Sequence, residues 1–220
     1  MSEHDAAPTA PTLPRLNEPA PNFTAVTTQG TLSLDDYRGT WVVLFSHPAD
    51  FTPVCSTEFL AFAQQADAFE ERGAQLIGLS IDSVHAHLAW LRDLEEMAGV
   101  QVPFPVIADL DMKVATQFGM LHPGASATAA VRAVFLIDPE GVMRGMLYYP
   151  LEVGRSIPEV LRFLDALRFS DEHGMSTPAD WQVGDPAIVS APTTMDEIRA
   201  DDPGQYHEFR RWYLRLNEAD

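Results

Sequence analysis

One cysteine, Cys55, stands in 220 residues, and its neighbours are of the kind that make a thiol reactive. It follows His47-Pro48-Ala49-Asp50-Phe51-Thr52-Pro53-Val54. Thr52 suits an N-cap, and Pro53 suits the first helical position, because proline lacks the N–H that would go unpaired there anyway. Cys55 then falls inside the first helical turn. Unpaired backbone N–H groups and the positive end of the helix dipole favour a thiolate there, the form that attacks electrophiles. A lone cysteine is more often a small buried hydrophobe. The helix start, the polar flanks and a position just after a strand set this one apart.

The spacing Pro48-x-x-x-Thr52-x-x-Cys55 resembles the active-site signature of the peroxiredoxins. The longer string Phe45-Ser46-His47-Pro48-Ala49-Asp50-Phe51-Thr52-Pro53-Val54-Cys55 resembles their one-cysteine (peroxiredoxin 6-like) branch, within the AhpC/TSA family. Segments 79–83, 87–90, 104–107, 131–135, 147–150 and 180–185 resemble family segments in family order, so the likeness runs from about Phe23 to residues 212–215. It implies an α/β fold with a thioredoxin-like core, a small C-terminal peroxiredoxin domain and at least a homodimer, with higher assembly left open. Cys55 would be the nucleophile. The Thr52 hydroxyl would bind the peroxide and align its O–O bond with the sulfur, and Pro48 would shield the sulfur from water.

Arg132 opens the otherwise apolar stretch 131–137, where an arginine is commonly just solvated. The resemblance places it in the site instead, its fixed charge and fork of donors stabilising the thiolate and polarising a peroxide oxygen. Arg155 resembles a second family arginine near the pocket. Glu58, one turn beyond Cys55, either orients Arg132 or merely matches the helix dipole. His47 is either a loop histidine with a structural hydrogen bond or a donor to the sulfur and its oxidised forms. His85 and His87, two apart on an expected helix, do not share a face, and no ligand cluster accompanies them; neither a metal nor a cofactor is expected.

The expected reaction is reduction of hydrogen peroxide or an organic hydroperoxide, leaving a Cys55 sulfenic acid. No second cysteine can resolve that acid, so an external thiol must, unless two Cys55 residues from different subunits meet. A non-catalytic alternative is a peroxide sensor or holdase chaperone. Sustained turnover with a small thiol supports the enzyme, and stoichiometric oxidation that alters assembly or client binding supports the switch. A disulfide oxidoreductase is disfavoured because Cys-x-x-Cys is absent. The phospholipase activity of the peroxiredoxin 6 branch is not expected, since Thr40 stands where its serine would be.

The elements that must position these residues follow from periodicity. Residues 41–46 read as a buried strand, and Phe59, Phe62, Ala63, Ala66 and Phe69 recur at helical spacing up to Gly73. A strand over 75–81, a helix over 84–98, an apolar stretch over 104–108 and a short helix over 112–118 continue the alternation, which predicts a mainly parallel sheet. Two strands, 131–137 and 142–148, flank the turn Asp138-Pro139-Glu140-Gly141. A helix with Ile157, Val160, Leu161, Leu164 and Leu167 on one face comes last. Three regions are expected: a mobile tail over 1–21, a peroxidase domain over 22–170, and a proline-broken dimerisation domain over 171–220.

A net charge of −18 repels phosphate backbones and makes nucleic acid an unexpected partner. With 46% hydrophobic residues the chain can bury a sizeable core, yet no apolar run is long enough for a bilayer. The N-terminal stretch shows neither a basic region nor an apolar one, so no signal peptide or membrane anchor is expected. A single cysteine fits a reducing compartment, and cytoplasmic location is the expectation.

Overall fold

The computed structural model describes residues 13–218. The chain divides into two compact units that meet between Ile157 and Pro158. The first holds β1 (Thr24–Thr27), β2 (Gly30–Ser33), β3 (Trp41–Ser46), α1 (Pro53–Gln64), α2 (Ala66–Glu70), β4 (Ala74–Ser80), α3 (Val84–Ala98), β5 (Val106–Ala108), α4 (Lys113–Gln117), β6 (Arg132–Ile137) and β7 (Met143–Tyr149). Its seven strands form one sheet in the order β2-β1-β5-β4-β3-β6-β7.

Only β3/β4 and β4/β5 pair in parallel; the other four pairings are antiparallel. The expectation of a mainly parallel sheet is therefore corrected to a mixed one. Two hairpins account for the difference: β1–β2, which periodicity did not reveal, and β6–β7, whose turn closes through Gly141 N–H to the Asp138 carbonyl at 2.8 Å. The helix expected to run on toward Gly73 breaks at Gln65, whose ψ of 4° leaves the helical well, giving α1 and α2.

Alternation along the central strands separates two faces. Val42 and Leu44 of β3, Ile77 and Leu79 of β4, and Ala133, Phe135 and Ile137 of β6 belong to a core shared with Phe118, Met120 and Met143. The opposite face carries Phe45, Gly78 and Arg132. There Phe45 stacks on Phe62 of α1, ring centroids 4.0 Å apart, and meets Phe59 edge-on. All three phenylalanines are fully buried, each contributing roughly 1.5–3 kcal/mol of apolar transfer. A Cβ at Gly78 would lie 3.1 Å from the Phe59 ring, so the absence of a side chain there lets α1 close on the sheet.

Of the expected mobile tail, residues 1–12 lie outside the described residues. Residues 17–20 are not loose: Asn17 N–H donates to the Met143 carbonyl at 2.8 Å, Met143 N–H to Glu18 at 2.9 Å and Ala20 N–H to Gly141 at 2.9 Å.

The second unit takes most of α5 (Ile157–His173), then β8 (Ala187–Ile188), α6 (Met195–Ala200), β9 (Glu208–Arg211) and β10 (Leu214–Asn217), with the strands ordered β8-β10-β9 and antiparallel throughout. The division thus precedes the change of composition after Ser170. Trp181 is the physical reason. Its buried ring lies 4.8 Å from Phe169 of α5, and its carbonyl accepts from Arg162, so the last helix shares packing with the segment after it. Among the described residues no helix is long and apolar enough to cross a membrane.

Candidate active site

Along α1 the buried residues are Cys55, Glu58, Phe59 and Phe62, spaced i, i+3, i+4 and i+7. One helical stripe therefore carries the thiol, a carboxylate and two core rings. Cys55 lies at the third helical position and is fully buried. The first intrahelical bond runs from Ser56 N–H to the Thr52 carbonyl at 3.0 Å, so Cys55 N–H precedes the ladder, as the first-turn reading requires.

Thr52 occupies the N-cap, but its hydroxyl does not cap the helix. It donates to the Ala49 carbonyl at 2.8 Å instead, so its oxygen has lone pairs available to accept a hydrogen bond from a ligand. Before it, Phe51 sits in the left-handed region at φ 54°, where a bulky side chain is strained by about 1–2 kcal/mol. Pro48 is half-buried in the same loop.

Arg132 comes to Cys55 from across the sheet. Its Nη1 lies 3.2 Å from the sulfur and 2.7 Å from Glu58 Oε2, while Nε and Nη2 both donate to the Leu151 carbonyl, at 3.0 and 2.8 Å. The arginine is 3% exposed, so the solvated reading is overturned. Pleating explains this: Arg132 points to the α1 face because Ala133 points to the opposite core.

Glu58 does more than match a dipole. It accepts Arg155 N–H and Nε on Oε1 and Arg155 Nη2 on Oε2, each at 2.8 Å. Burial opposes its ionisation, but the Arg155 charge and hydrogen bonds, with Arg132 behind them, hold its carboxyl below the ordinary glutamate range. Arg155 Nη1 donates to the Ser46 and Ala133 carbonyls at 2.8 and 2.9 Å, and the guanidinium lies over the rings of Phe45 and Phe62. Arg155 thus acts on the site through Glu58. Two guanidiniums face one carboxylate and one sulfur, so the set is positive until the sulfur carries a negative charge.

His47 follows the first of its two readings, a loop histidine with a structural hydrogen bond. Its Nε2 lies 2.9 Å from Asp50 Oδ1, and the other carboxylate oxygen lies 2.8 Å from His87 Nδ1. His87 and Asp50 were not among the expected site residues. The signal was available, since Asp50 lies inside the cysteine string and His87 recurs in α3 with Trp90 and Leu94 at core spacing, but pairing across 37 residues cannot be read from a linear pattern. His85 is exposed while His87 is buried, as their separate helix faces require. His47, Asp50 and His87 lie close enough to suggest a metal, yet their facing atoms are engaged with one another at hydrogen-bond distance.

Residues 16–146 match the AhpC/TSA family, and residues 166–201 match the C-terminal domain of 1-Cys peroxiredoxin. A peroxiredoxin of Aquifex aeolicus is 50% identical over 215 residues, covering 92% of this chain and 96% of that one. The solved structure of yeast mitochondrial 1-Cys peroxiredoxin, described with its thiol resolving mechanism via glutathione/thioredoxin systems, aligns with a TM-score of 0.83 at 43% identity, over 93% of this chain and 99% of its own. A cysteine-to-serine mutant of peroxiredoxin 6 from Arenicola marina aligns with a TM-score of 0.81 at 37% identity, over 93% and 97%.

Proposed function

The chain belongs to the AhpC/TSA family, in its one-cysteine peroxiredoxin branch, and is a thiol-dependent peroxidase; on that premise we propose that it reduces hydrogen peroxide and alkyl hydroperoxides through a Cys55 sulfenic acid that an external thiol returns to the thiol. The observation that carries this reading is Arg132 Nη1 at 3.2 Å from the Cys55 sulfur, itself held by Glu58 and the Leu151 carbonyl. The thiolate attacks the terminal peroxide oxygen, the O–O bond breaks, and water or an alcohol leaves after taking up one proton. Sulfur is oxidised by two electrons and the peroxide reduced by two. Arg132 stabilises the negative charge as it moves from sulfur toward the leaving oxygen, and its fixed position spares reorganisation. Thr52 Oγ1 accepts a hydrogen bond from the peroxide O–H and orients the O–O axis.

Regeneration takes two equivalents of thiol. The first displaces water from the sulfenic acid to form a mixed disulfide; the second releases Cys55 and leaves with the first as a disulfide. The yeast relative's description makes glutathione and thioredoxin the first reductants to test. A homodimer is part of the proposal, supported by the exposed apolar residues Val183, Met195, Trp212 and Tyr213 in the C-terminal segment, as is a reducing cytoplasmic setting, supported by the single free cysteine.

The test is steady-state peroxide consumption with dithiothreitol, glutathione, thioredoxin and ascorbate, run with the wild type and Cys55→Ser. Sustained thiol-dependent turnover in the wild type, lost in the serine variant, is expected. Residual turnover in Cys55→Ser above about a hundredth of wild type would remove Cys55 as nucleophile.

A further inference from the structure

Ser46 carries the one hydroxyl of β3, in a strand that otherwise reads Trp41-Val42-Val43-Leu44-Phe45, and it is fully buried. A buried hydroxyl is costly unless it is hydrogen-bonded. Its partners lie on either side of Arg132: Ser46 Oγ donates to the Val131 carbonyl at 2.6 Å and accepts Ala133 N–H at 3.1 Å. The same two groups also meet each other, Ala133 N–H reaching the Val131 carbonyl at 3.2 Å. That i to i+2 bond closes a three-residue turn centred on Arg132, which keeps a negative φ, the form common at strand ends. The backbone register of β3 on β6 stops at Phe45–Val134, so beyond it the Ser46 hydroxyl takes over from the ladder.

We propose that Ser46 is a positioning residue of the peroxidase: its hydroxyl fixes the turn from which the Arg132 side chain leaves the backbone, and so fixes the guanidinium against the Cys55 sulfur. The inference deepens the peroxidase reading and rests on it. Glu58 of α1 and the Leu151 carbonyl hold the outer end of Arg132, and Ser46 holds its base. β3 is also the strand that runs directly into the loop 47–52 and the first turn of α1, so the base of the arginine and the chain that carries the thiol are referred to one strand. Rotation at the root of so long a side chain is amplified at its tip, and the 3.2 Å approach of Nη1 to the sulfur tolerates little of it. Ser46 reaches the second arginine as well, because its carbonyl accepts Arg155 Nη1 at 2.8 Å and the same nitrogen bonds the Ala133 carbonyl. One residue thus ties its side chain to the peptide groups flanking Arg132 and its backbone to the arginine that sets Glu58.

Removing the hydroxyl leaves neither backbone group without a partner, since the Val131 carbonyl and Ala133 N–H keep their bond to each other. The fold therefore survives the loss, and what loosens is the direction of Arg132. The charged groups in the network that reaches the sulfur are Arg132, Glu58 and Arg155, and a neutral change at Ser46 alters the charge of none. An effect on the thiolate then comes from the placement of charge, not from its amount. A serine that merely closed the end of a ladder would change stability and leave the reactivity of the sulfur alone.

The test follows Cys55 in two ways in the wild type, Ser46→Ala, Ser46→Thr, Arg132→Met and the double variant Ser46→Ala with Arg132→Met: alkylation by iodoacetamide across pH, which needs no peroxidase activity, and stopped-flow oxidation by hydrogen peroxide. Ser46→Ala should fall on the order of tenfold in oxidation rate, a share of the roughly hundredfold that an ångström of misplacement costs, and its alkylation profile should move to higher pH. Ser46→Thr, which keeps the hydroxyl, should recover most of the rate. With Arg132→Met already present, Ser46→Ala should cost no more than about twofold, because a residue that acts through another has nothing left to position. Additive losses in the double variant, an unmoved alkylation profile in Ser46→Ala, an equal loss in Ser46→Thr, or a Ser46→Ala chain unfolded by circular dichroism would each overturn the proposal. A wild type that shows the alkylation differences but turns over no peroxide would instead count against the peroxidase reading and leave the placement of Arg132 by Ser46 standing.

Discussion

Glu58 and Arg155 are joined by three hydrogen bonds of 2.8 Å, one from the Arg155 backbone and two from its guanidinium, and the same carboxylate then reaches Arg132 at 2.7 Å. Arg155, which does not bond the sulfur, thereby sets where the arginine that does bond it can stand. The chain of contacts runs from the Ser46 and Ala133 carbonyls through Arg155 and Glu58 to Arg132 and Cys55.

Glu58→Gln should destabilise the protein by about 3–5 kcal/mol, because removing one partner of a buried ion pair leaves guanidinium charge uncompensated. The pH dependence follows from the sign of the shift. Glu58 is held below its ordinary range when folded, so its stabilisation is fully present above that range and is lost as pH falls from there through the lower folded value. Denaturant unfolding between pH 7 and pH 3 should show a smaller loss of stability on acidification in Glu58→Gln than in the wild type; equal slopes would refute this.

Arg132→Met should slow Cys55 oxidation on the order of a hundredfold, comparable to removing one donor from a charge-stabilising site. Arg132→Lys should not restore the rate, since a single ammonium cannot serve the sulfur, Glu58 and the Leu151 carbonyl together. Stopped-flow fluorescence measures both.

Thr52→Val should lower the rate with peroxide while leaving the helix start largely intact, because the hydroxyl does not cap α1 but bonds the Ala49 carbonyl. A loss of roughly tenfold or more at subsaturating peroxide, with a melting temperature within a few degrees of wild type, is the expected pair of results.

With limiting peroxide and no thiol, Cys55 should be trapped as sulfenic acid, and excess peroxide should carry it to the sulfinic and sulfonic states, because no other thiol in the chain competes. Mass spectrometry of the Cys55 peptide distinguishes these. A dominant disulfide between two Cys55 residues would show that self-resolution is faster.

Truncation after Thr177 should weaken the proposed dimer and speed overoxidation of Cys55, if residues 171–220 serve assembly. It also removes Trp181 from Phe169, baring the ring it packs against. Sedimentation together with peroxide sensitivity checks this, and a tight dimer of unchanged sensitivity would contradict it.

By itself the sequence determined the single candidate thiol, its place in the first turn of a helix and most element boundaries, because these depend on near neighbours. A cap residue, a proline at the first position and a stripe at i, i+3, i+4 and i+7 act within two turns of chain. Only tertiary structure decided what surrounds the sulfur. Arg132 meets Cys55 across 77 residues and Arg155 meets Glu58 across 97, distances over which linear spacing carries no information about contact. The same holds for the mixed sheet, since strand direction follows from which strands pair and not from how apolar each is. His47 shows the limit most plainly. Its local string allowed either a structural hydrogen bond or a donor to sulfur; Asp50 accepts the hydrogen bond, and His87, far along the chain, lies on the other Asp50 oxygen, a contact that the local pattern does not contain.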